Sequence, residues 1–324
     1  MSKLENEKPS LIKLRLRFLK HQITYLIVVI IAIIIIAGLI NPNFLSIRNL
    51  TTISSQITVL GVLTISLSMV MISGGLDISI GNMAGLVALI FAKMVVNGNS
   101  IPLSIIIVLI ISTCLGTING IIISKTKVMP LIISLGMMYV YYGISLFISG
   151  GRPQALAGKF QFLGRATLGL IPYAVIIYLA ITIFFYLLRK YTLYGRRLTA
   201  MGSNVHTAYL SGLNVDIHQI SIYALNGFIV GIAGLILVSR LGMVRADTGT
   251  GYELQALAAA IIGGITFEGG RGSIIGAFFG VLLLGIVYNA MNLVGVSSYL
   301  QTIFLGAIIV IATVVSNIGK MRRT

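Results

Sequence analysis

Four acidic side chains sit in or beside long apolar stretches: Asp77, Asp247, Glu253 and Glu268. A carboxylate at membrane depth is costly, so it normally has a partner or faces water. Asp77 lies in GGLDISIG, where glycines break a helix and free backbone groups; it is expected to cap the helix that follows. Glu253 opens an apolar stretch after TGTGY, which fits first-turn capping, and Glu268 in FEGGRGS suits the same work or a pair with Arg271. Asp77, Glu253 and Glu268 therefore read as structural or gating acids. A proton relay needs several acids or histidines in line. His21, His206 and His218 all fall at loops or at the edges of apolar stretches, so proton-driven chemistry has little support.

Amides inside the apolar stretches are better placed to meet a polar solute. Asn119, Asn226, Asn289 and Asn292 suit a substrate path; each suits equally well a hydrogen bond to a neighbouring helix. No Ser/His/Asp set, metal-ligand spacing or carboxylate pair suggests catalysis. No G-x-x-x-x-G-K-[ST] run follows a strand pattern, so the chain is not expected to bind ATP itself. The single cysteine, Cys114, excludes an intrachain disulfide. Small residues four apart recur at Gly81 and Gly85, Gly116 and Gly120, Gly227 and Gly231, and Gly272, Gly276 and Gly280. In lipid such spacing lets helix backbones approach closely. Tyr139, Tyr141 and Tyr142 are expected to serve as an interfacial belt in a chain without tryptophan.

The elements that must carry these residues follow from composition. Of 324 residues 57% are hydrophobic and 9% charged, against roughly 25% charged in a soluble domain. The chain is thus an all-α, polytopic membrane helical bundle. A span needs about 20 apolar residues. Ten candidates fall near 23–41, 54–73, 80–97, 101–124, 129–150, 169–189, 217–240, 252–267, 274–292 and 297–316. The third and eighth abut glycine-rich turns and are expected to be short, broken or re-entrant. A basic N-terminus (1–22), one membrane domain (23–316) and a C-terminal segment (317–324) complete the organisation. With both termini in the cytoplasm, sixteen of the 23 Lys and Arg residues lie inside, as the positive-inside rule expects. Orientation explains the net charge of +16 better than nucleic acid does. The 150–168 loop is the exception, outside yet carrying three cations.

The longest internal polar run, 189–216, holds Arg189, Lys190, Arg196 and Arg197 and no acid before Asp216. Thr199 to Gly202 read as small and tight-turning. Asn204 suits a helix N-cap, two short helical turns fit Val205 to Ser211, and Gly212 suits the left-handed close. Such a helix on the cytoplasmic face suits docking of another protein; a solvated, orienting loop is the plainer alternative. The halves also look alike. Leu115-Gly116 with Asn119 and then Leu135-Gly136 resemble Leu284-Gly285 with Asn289 and then Leu305-Gly306. Ile72 to Gly75 with Asp77 resemble Ile262 to Gly264 with Glu268 at a wider spacing, so an insertion would be needed to reconcile the two pairings.

Three stretches together resemble the permease subunits of ABC importers for monosaccharides, the ribose/xylose-type branch. They are SGGLDISIGNMAG (73–85), YGRRLTAMGSNVHTAYLSGLNV (194–215) and GTGYELQALAAAIIGGITFEGGRGSIIGAFFG (249–280), with NLVGVSSYLQ (292–301) close behind. The likeness runs in order from about Asn41 to the C-terminus. It implies a non-enzymatic transport subunit in the bacterial cytoplasmic membrane, working as a homodimer or with a paired permease. An extracytoplasmic sugar-binding protein would feed it, and a separate ATPase subunit, holding ATP and magnesium, would drive it. The 189–216 loop would be its coupling element. There Gly195, Arg196, Gly202, Asn204, Ala208, Ser211 and Gly212 match the family's pattern, beside the basic Arg197, while Ser203 and Val205–His206 depart from it. Autoinducer-2, a furanose, a nucleoside or a branched-chain amino acid are alternative cargoes. An ion-coupled secondary transporter is the alternative class, hinted at only by the glycine breaks around Asp77 and Glu268.

Overall fold

A computed structural model describes the backbone of residues 11–321 and the side chains of residues 23–311. The charged ends of the 1–22 and 317–324 segments lie outside the described residues. In chain order the helices are α1 (Leu11–Ile40), α2 (Ile47–Ile72), α3 (Ile80–Val96), α4 (Ile101–Thr126), α5 (Pro130–Ser149), α6 (Phe162–Arg165), α7 (Tyr173–Tyr191), α8 (Leu193–Ser203), α9 (Val205–Leu210), α10 (Val215–Leu241), α11 (Tyr252–Ile262), α12 (Ile274–Leu293) and α13 (Ser298–Met321). Seven are long and apolar enough to cross a membrane, and α3, α11 and the described part of α13 are shorter apolar helices. Together they coincide with the ten stretches read from hydropathy.

Local signals set the boundaries. Ser46 accepts from the Asn49 N–H and starts α2, Asn214 accepts from Ile217 N–H and starts α10, and Pro102 and Pro130 stand in the first turns of α4 and α5. The sixth stretch begins only at Tyr173, after a two-residue antiparallel turn of Thr167–Leu168 on Ile171–Pro172. The eighth ends at Ile262, before Gly263-Gly264. At 11 residues α11 is about 16 Å long, half of a hydrocarbon core.

The packing reveals a duplication. Exchanging α2 with α10, α3 with α11, α4 with α12 and α5 with α13 maps the principal contacts among these eight helices onto one another. Helix α10 packs on α3 and α4 as α2 packs on α11 and α12, and α3 touches α4 and α5 as α11 touches α12 and α13. The register is that of Gly136 with Gly306: in step with it, Asp77 and Gly81 correspond to Asp247 and Gly251. Helices α3 and α11 both close on a left-handed glycine, Gly98 and Gly264. The wider pairing of Ile72–Gly75 with Ile262–Gly264 is corrected here. It aligns the end of α2 with the end of α11, which hold different places in the two halves; the likeness is only that both helices end in the same glycine-closed turn. Helices α2 and α10 run antiparallel, as Ser55 meets Arg240, Ser66 meets Asn226 and Leu76 meets Tyr223. The repeat is therefore inverted, a plan common among transporters.

Helix α2 is the axis of the bundle, 89% buried across its apolar window, with α10 next at 67%. A helix apolar on every side belongs at the centre. Glycines bring neighbours close: a Cβ at Gly116 would fall 2.8 Å from the Gly227 Cα, so α4 and α10 meet backbone to backbone. The 150–168 loop folds over the end of the bundle remote from α8. Gln154–Ala155 pairs with Met243–Val244, and Leu156 and Phe160 are buried, Phe160 against Phe91 at 4.5 Å. Tyr141 is not part of an interfacial belt. It is wholly buried and bonds Asn119, because it lies on the face of α5 turned to α3 and α4, whereas Tyr139 is 63% exposed.

Candidate functional site

The 189–216 segment folds as two short helices held under one end of the bundle. Thr192 leaves the helical conformation, ends α7 and caps α8 by accepting from the Gly195 N–H. Gly195 lets α8 turn back on α7: a Cβ there would sit 2.8 Å from the Arg189 carbonyl oxygen. Thr199 to Gly202, expected as a turn, are the last helical turn of α8. Gly202 is small because of what it touches, not because the chain bends there. Asn204 is extended and its side chain accepts from Thr207 N–H, starting α9. Gly212, at φ +80°, closes α9, with Gly212 N–H on Tyr209 O and Leu213 N–H on Ala208 O. Ala208 is buried, while Val205, Tyr209 and Leu210 are 53, 68 and 70% exposed. Arg196 and Arg197 are exposed on α8 and, with Ser211, Gly212 and His218, line an open cavity of about 480 Å³. Tyr194 ties α8 to α10 through Ser221 at 2.8 Å, and burial pushes its phenol pKa up.

Beneath this loop lies a junction made of backbone alone. A Cβ on Gly202 would meet the Ile72 carbonyl oxygen, Gly270 N at 2.7 Å and the Ser73 carbonyl carbon at 2.8 Å. Gly270 N–H donates to Ile72 O at 2.8 Å, and a Cβ on Gly269 would fall 2.7 Å from the Gly74 Cα. The end of α8 thus touches both the end of α2 and the turn between α11 and α12. Glu268 is exposed in that same turn.

A second cluster lies deeper. Asp77 does not cap α3, because the N-cap position belongs to Ser79, whose side chain makes no capping bond. The carboxylate instead accepts from Ser79 N–H at 3.0 Å, from the Ser79 hydroxyl, and from Asn226 Nδ2 of α10 at 2.9 Å. Asn226 Oδ1 accepts from Ser66 of α2 at 2.7 Å. Asn119 of α4 donates to Ser79 Oγ at 3.0 Å and accepts from the Tyr141 hydroxyl of α5 at 2.8 Å. One carboxylate therefore joins α2, α3, α4, α5 and α10. Asn289 forms a reciprocal amide pair with Asn49 of α2, at 2.9 and 3.0 Å. Asn292 is exposed and accepts from Gln301 Nε2 at 2.8 Å. The structure does not bring the four asparagines to one surface; it buries Asn119 and Asn226 in the Asp77 cluster and Asn289 in a separate pair with Asn49.

Glu253 does what first-turn capping requires: its carboxylate accepts from the Gly251 N–H, the N-cap residue of α11. Gly81 and Gly85 leave room on α3 for the 248–249 backbone, and Thr250 donates to Asn82 at 3.0 Å. The N-termini of two short helices, one from each half, therefore meet inside the bundle, a device that transporters with inverted repeats use around their substrate. Sequence reasoning missed Ser66, Ser79, Tyr141, Tyr223 and Asn49. Only Ser79 had a local signal, since Asp followed two residues later by Ser invites an Asx-type turn.

Residues 49–313 match the model of a family described as the permease component of branched-chain amino acid transport systems. The ribose import permease protein RbsC of Bacillus subtilis is 38% identical over 284 residues, 86% of this chain and 88% of that one. The ribose import permease of Haemophilus influenzae is 35% identical over 307 residues, 93% and 94% of the two chains. A permease of the autoinducer 2 import system of Salmonella typhimurium is 33% identical over 298 residues, 88% of each. No solved structure matches the chain. The family model over residues 49–313 and import permeases matched over 86 to 93% of its length place the chain in this family: it is a multi-pass permease subunit of the bacterial inner membrane.

Proposed function

We propose that the chain forms the translocation path for a ribose-like monosaccharide in an ATP-driven importer. The observation that carries the reading is α9: a six-residue helix in the longest polar segment, displaying Val205, Tyr209 and Leu210 to solvent beside Arg196 and Arg197. A short helix with exposed apolar anchors and a basic rim suits a groove on a partner protein. The partner is an ATPase subunit, which binds ATP and magnesium, on the cytoplasmic side of the membrane. Gly195, Arg196, Arg197, Gly202, Asn204, Ala208, Ser211 and Gly212 form the coupling element; an extracytoplasmic binding protein delivers the sugar, and a second permease chain, identical or paired, completes the path.

Transport proceeds by alternating access. ATP binding draws the ATPase subunits together, α8 and α9 move with them, and the glycine junction passes the movement to α2 and to the α11–α12 turn. The solute biases the cycle only through different contacts in the two states. Cargo specificity follows the ribose permeases, which reach 38% identity; autoinducer 2 is the second cargo, which a match of 33% supports. Asp77, Glu253 and Glu268 act as structural or gating acids, and Asn119, Asn226, Asn289 and Asn292 meet solute only in a state that frees their amides.

Reversing Arg196 and Arg197 together to Glu is expected to weaken ATPase association by about tenfold or more, since each reversal turns attraction into repulsion. Membrane insertion and thermal stability stay at wild-type level. Co-purification with a tagged ATPase and uptake of labelled ribose measure it; unchanged values in both assays count against docking on this loop.

A further inference from the structure

A second basic cavity of about 370 Å³, sharing Arg196 with the first, opens between the end of α7, the middle of α8 and the start of α12, lined by Tyr186, Arg189, Lys190, Arg196, Thr199, Ser273 and Ile274. Among the described residues, three of the seven that line it are cations and none is acidic. The Arg189 guanidinium donates to Gly272 O at 2.6 Å, which holds it against the turn before α12. Lys190 donates to the Tyr186 hydroxyl at 2.8 Å, and its ammonium stands 5.2 and 5.0 Å from the Tyr186 and Tyr191 ring centres. The first turn of α12, a 20-residue helix, adds its own partial positive charge at Ser273 and Ile274. Lys190 and Arg196, beside that helix end, attract an anion, and a phosphate with several oxygens can serve both at once.

The position tells which phosphate. Arg189 and Lys190 stand in the last turn of a spanning helix, at the level where headgroups meet protein, and tyrosines flank them as they do at membrane interfaces. Below Lys190 on the same face of α7 lie Leu187 and Ile183, three and seven residues back, 46 and 57% exposed. Ile275, beside the cavity on α12, is 38% exposed. An apolar track thus descends from a cationic pocket into the hydrocarbon layer. The geometry points to a bound anionic phospholipid, its phosphodiester at Lys190 and Arg196 and one acyl chain along Ile183 and Leu187. This lipid joins α7, α8 and α12 at the root of the central loop, and its binding does not depend on which solute the chain carries.

The purified full chain in detergent, titrated with phosphatidylglycerol or with phosphatidylcholine and weighed by native mass spectrometry, tests this. The wild type is expected to favour phosphatidylglycerol, and Lys190→Gln to lose roughly fivefold of that preference. Lys190 is exposed, so the variant folds; Arg48→Gln, exposed at the other end of the bundle, retains the full preference. Leu187→Ser weakens phosphatidylglycerol retention without touching a charge. Equal affinity for the two lipids, or an unchanged Lys190→Gln, overturns the assignment. So does full displacement by inorganic phosphate with no effect of Leu187→Ser, which would make the ligand a free anion. Release of the lipid whenever the ATPase binds would assign the cations to that partner instead, and equally overturn it.

Discussion

Replacing Gly202 with alanine is expected to abolish uptake while leaving the protein in the membrane and able to bind the proposed ATPase partner. The added methyl group would meet three backbone atoms from two separate segments: the Ile72 carbonyl oxygen, the Ser73 carbonyl carbon and the Gly270 nitrogen. None of these is the free end of a side chain, so nothing can swing aside. Overpacking of this kind costs about 1–3 kcal/mol, small beside the stability of a bundle whose central helix is almost wholly buried. The fold survives, and what fails is contact: α8 lifts away from the end of α2 and from the 264–272 turn. A rigid link becomes a loose one. Gly212→Ala is the comparison. It sits in the same loop at φ +80° but meets no atom within 4 Å, so it costs about 1 kcal/mol of local strain and leaves the junction intact. Uptake in a strain that supplies the other subunits, ATPase co-purification and melting temperature are measured for both. Normal uptake by Gly202→Ala would show that movement reaches the bundle by another route.

That junction also shows where the sequence was legible and where it was not. Hydropathy placed all ten apolar helices because bilayer solvation acts on composition, residue by residue, and needs no knowledge of partners. The cap at Asn204 and the close at Gly212 were legible for the same reason: each is settled within a turn of helix. Gly202 reads as a turn from sequence because a helical glycine and a turning glycine look alike until the neighbour is known. Its neighbours, Ile72 and Gly270, lie far off along the chain, at the end of α2 and in the turn after α11. The true repeat register was visible in Asn119 with Asn289 and in Gly136 with Gly306. A second, coincidental likeness stood beside it, since glycine-closed helix ends recur wherever a helix must stop. Tyr141 reads as interfacial for a different reason: residue type alone does not tell which face of α5 meets α3 and α4.

Asp77 is where the two kinds of reading differ most, and its substitutions separate them. A cap would lose about 0.5–2 kcal/mol on truncation. The structure gives the carboxylate three donors, two from Ser79 and one from the distant Asn226, in a site with no exposure. Asp77→Ala orphans the Ser79 N–H and the Asn226 amide; at about 1–3 kcal/mol for each unsatisfied buried group, the expected loss is about 2–6 kcal/mol. Asp77→Asn is expected to be far milder. Asn226 can turn its amide over, offer its oxygen to the new amine and place its own amine on the Ser66 hydroxyl, which can accept. Adding Asn226→Leu to Asp77→Ala removes one orphan and should recover part of the loss, a coupling that distant, independent sites do not show. Thermal unfolding of the purified permease measures the series, with uptake alongside it. If Asp77→Asn keeps wild-type stability yet transports nothing, the negative charge itself serves the cycle, and Asp77 gates the path rather than only tying its helices together.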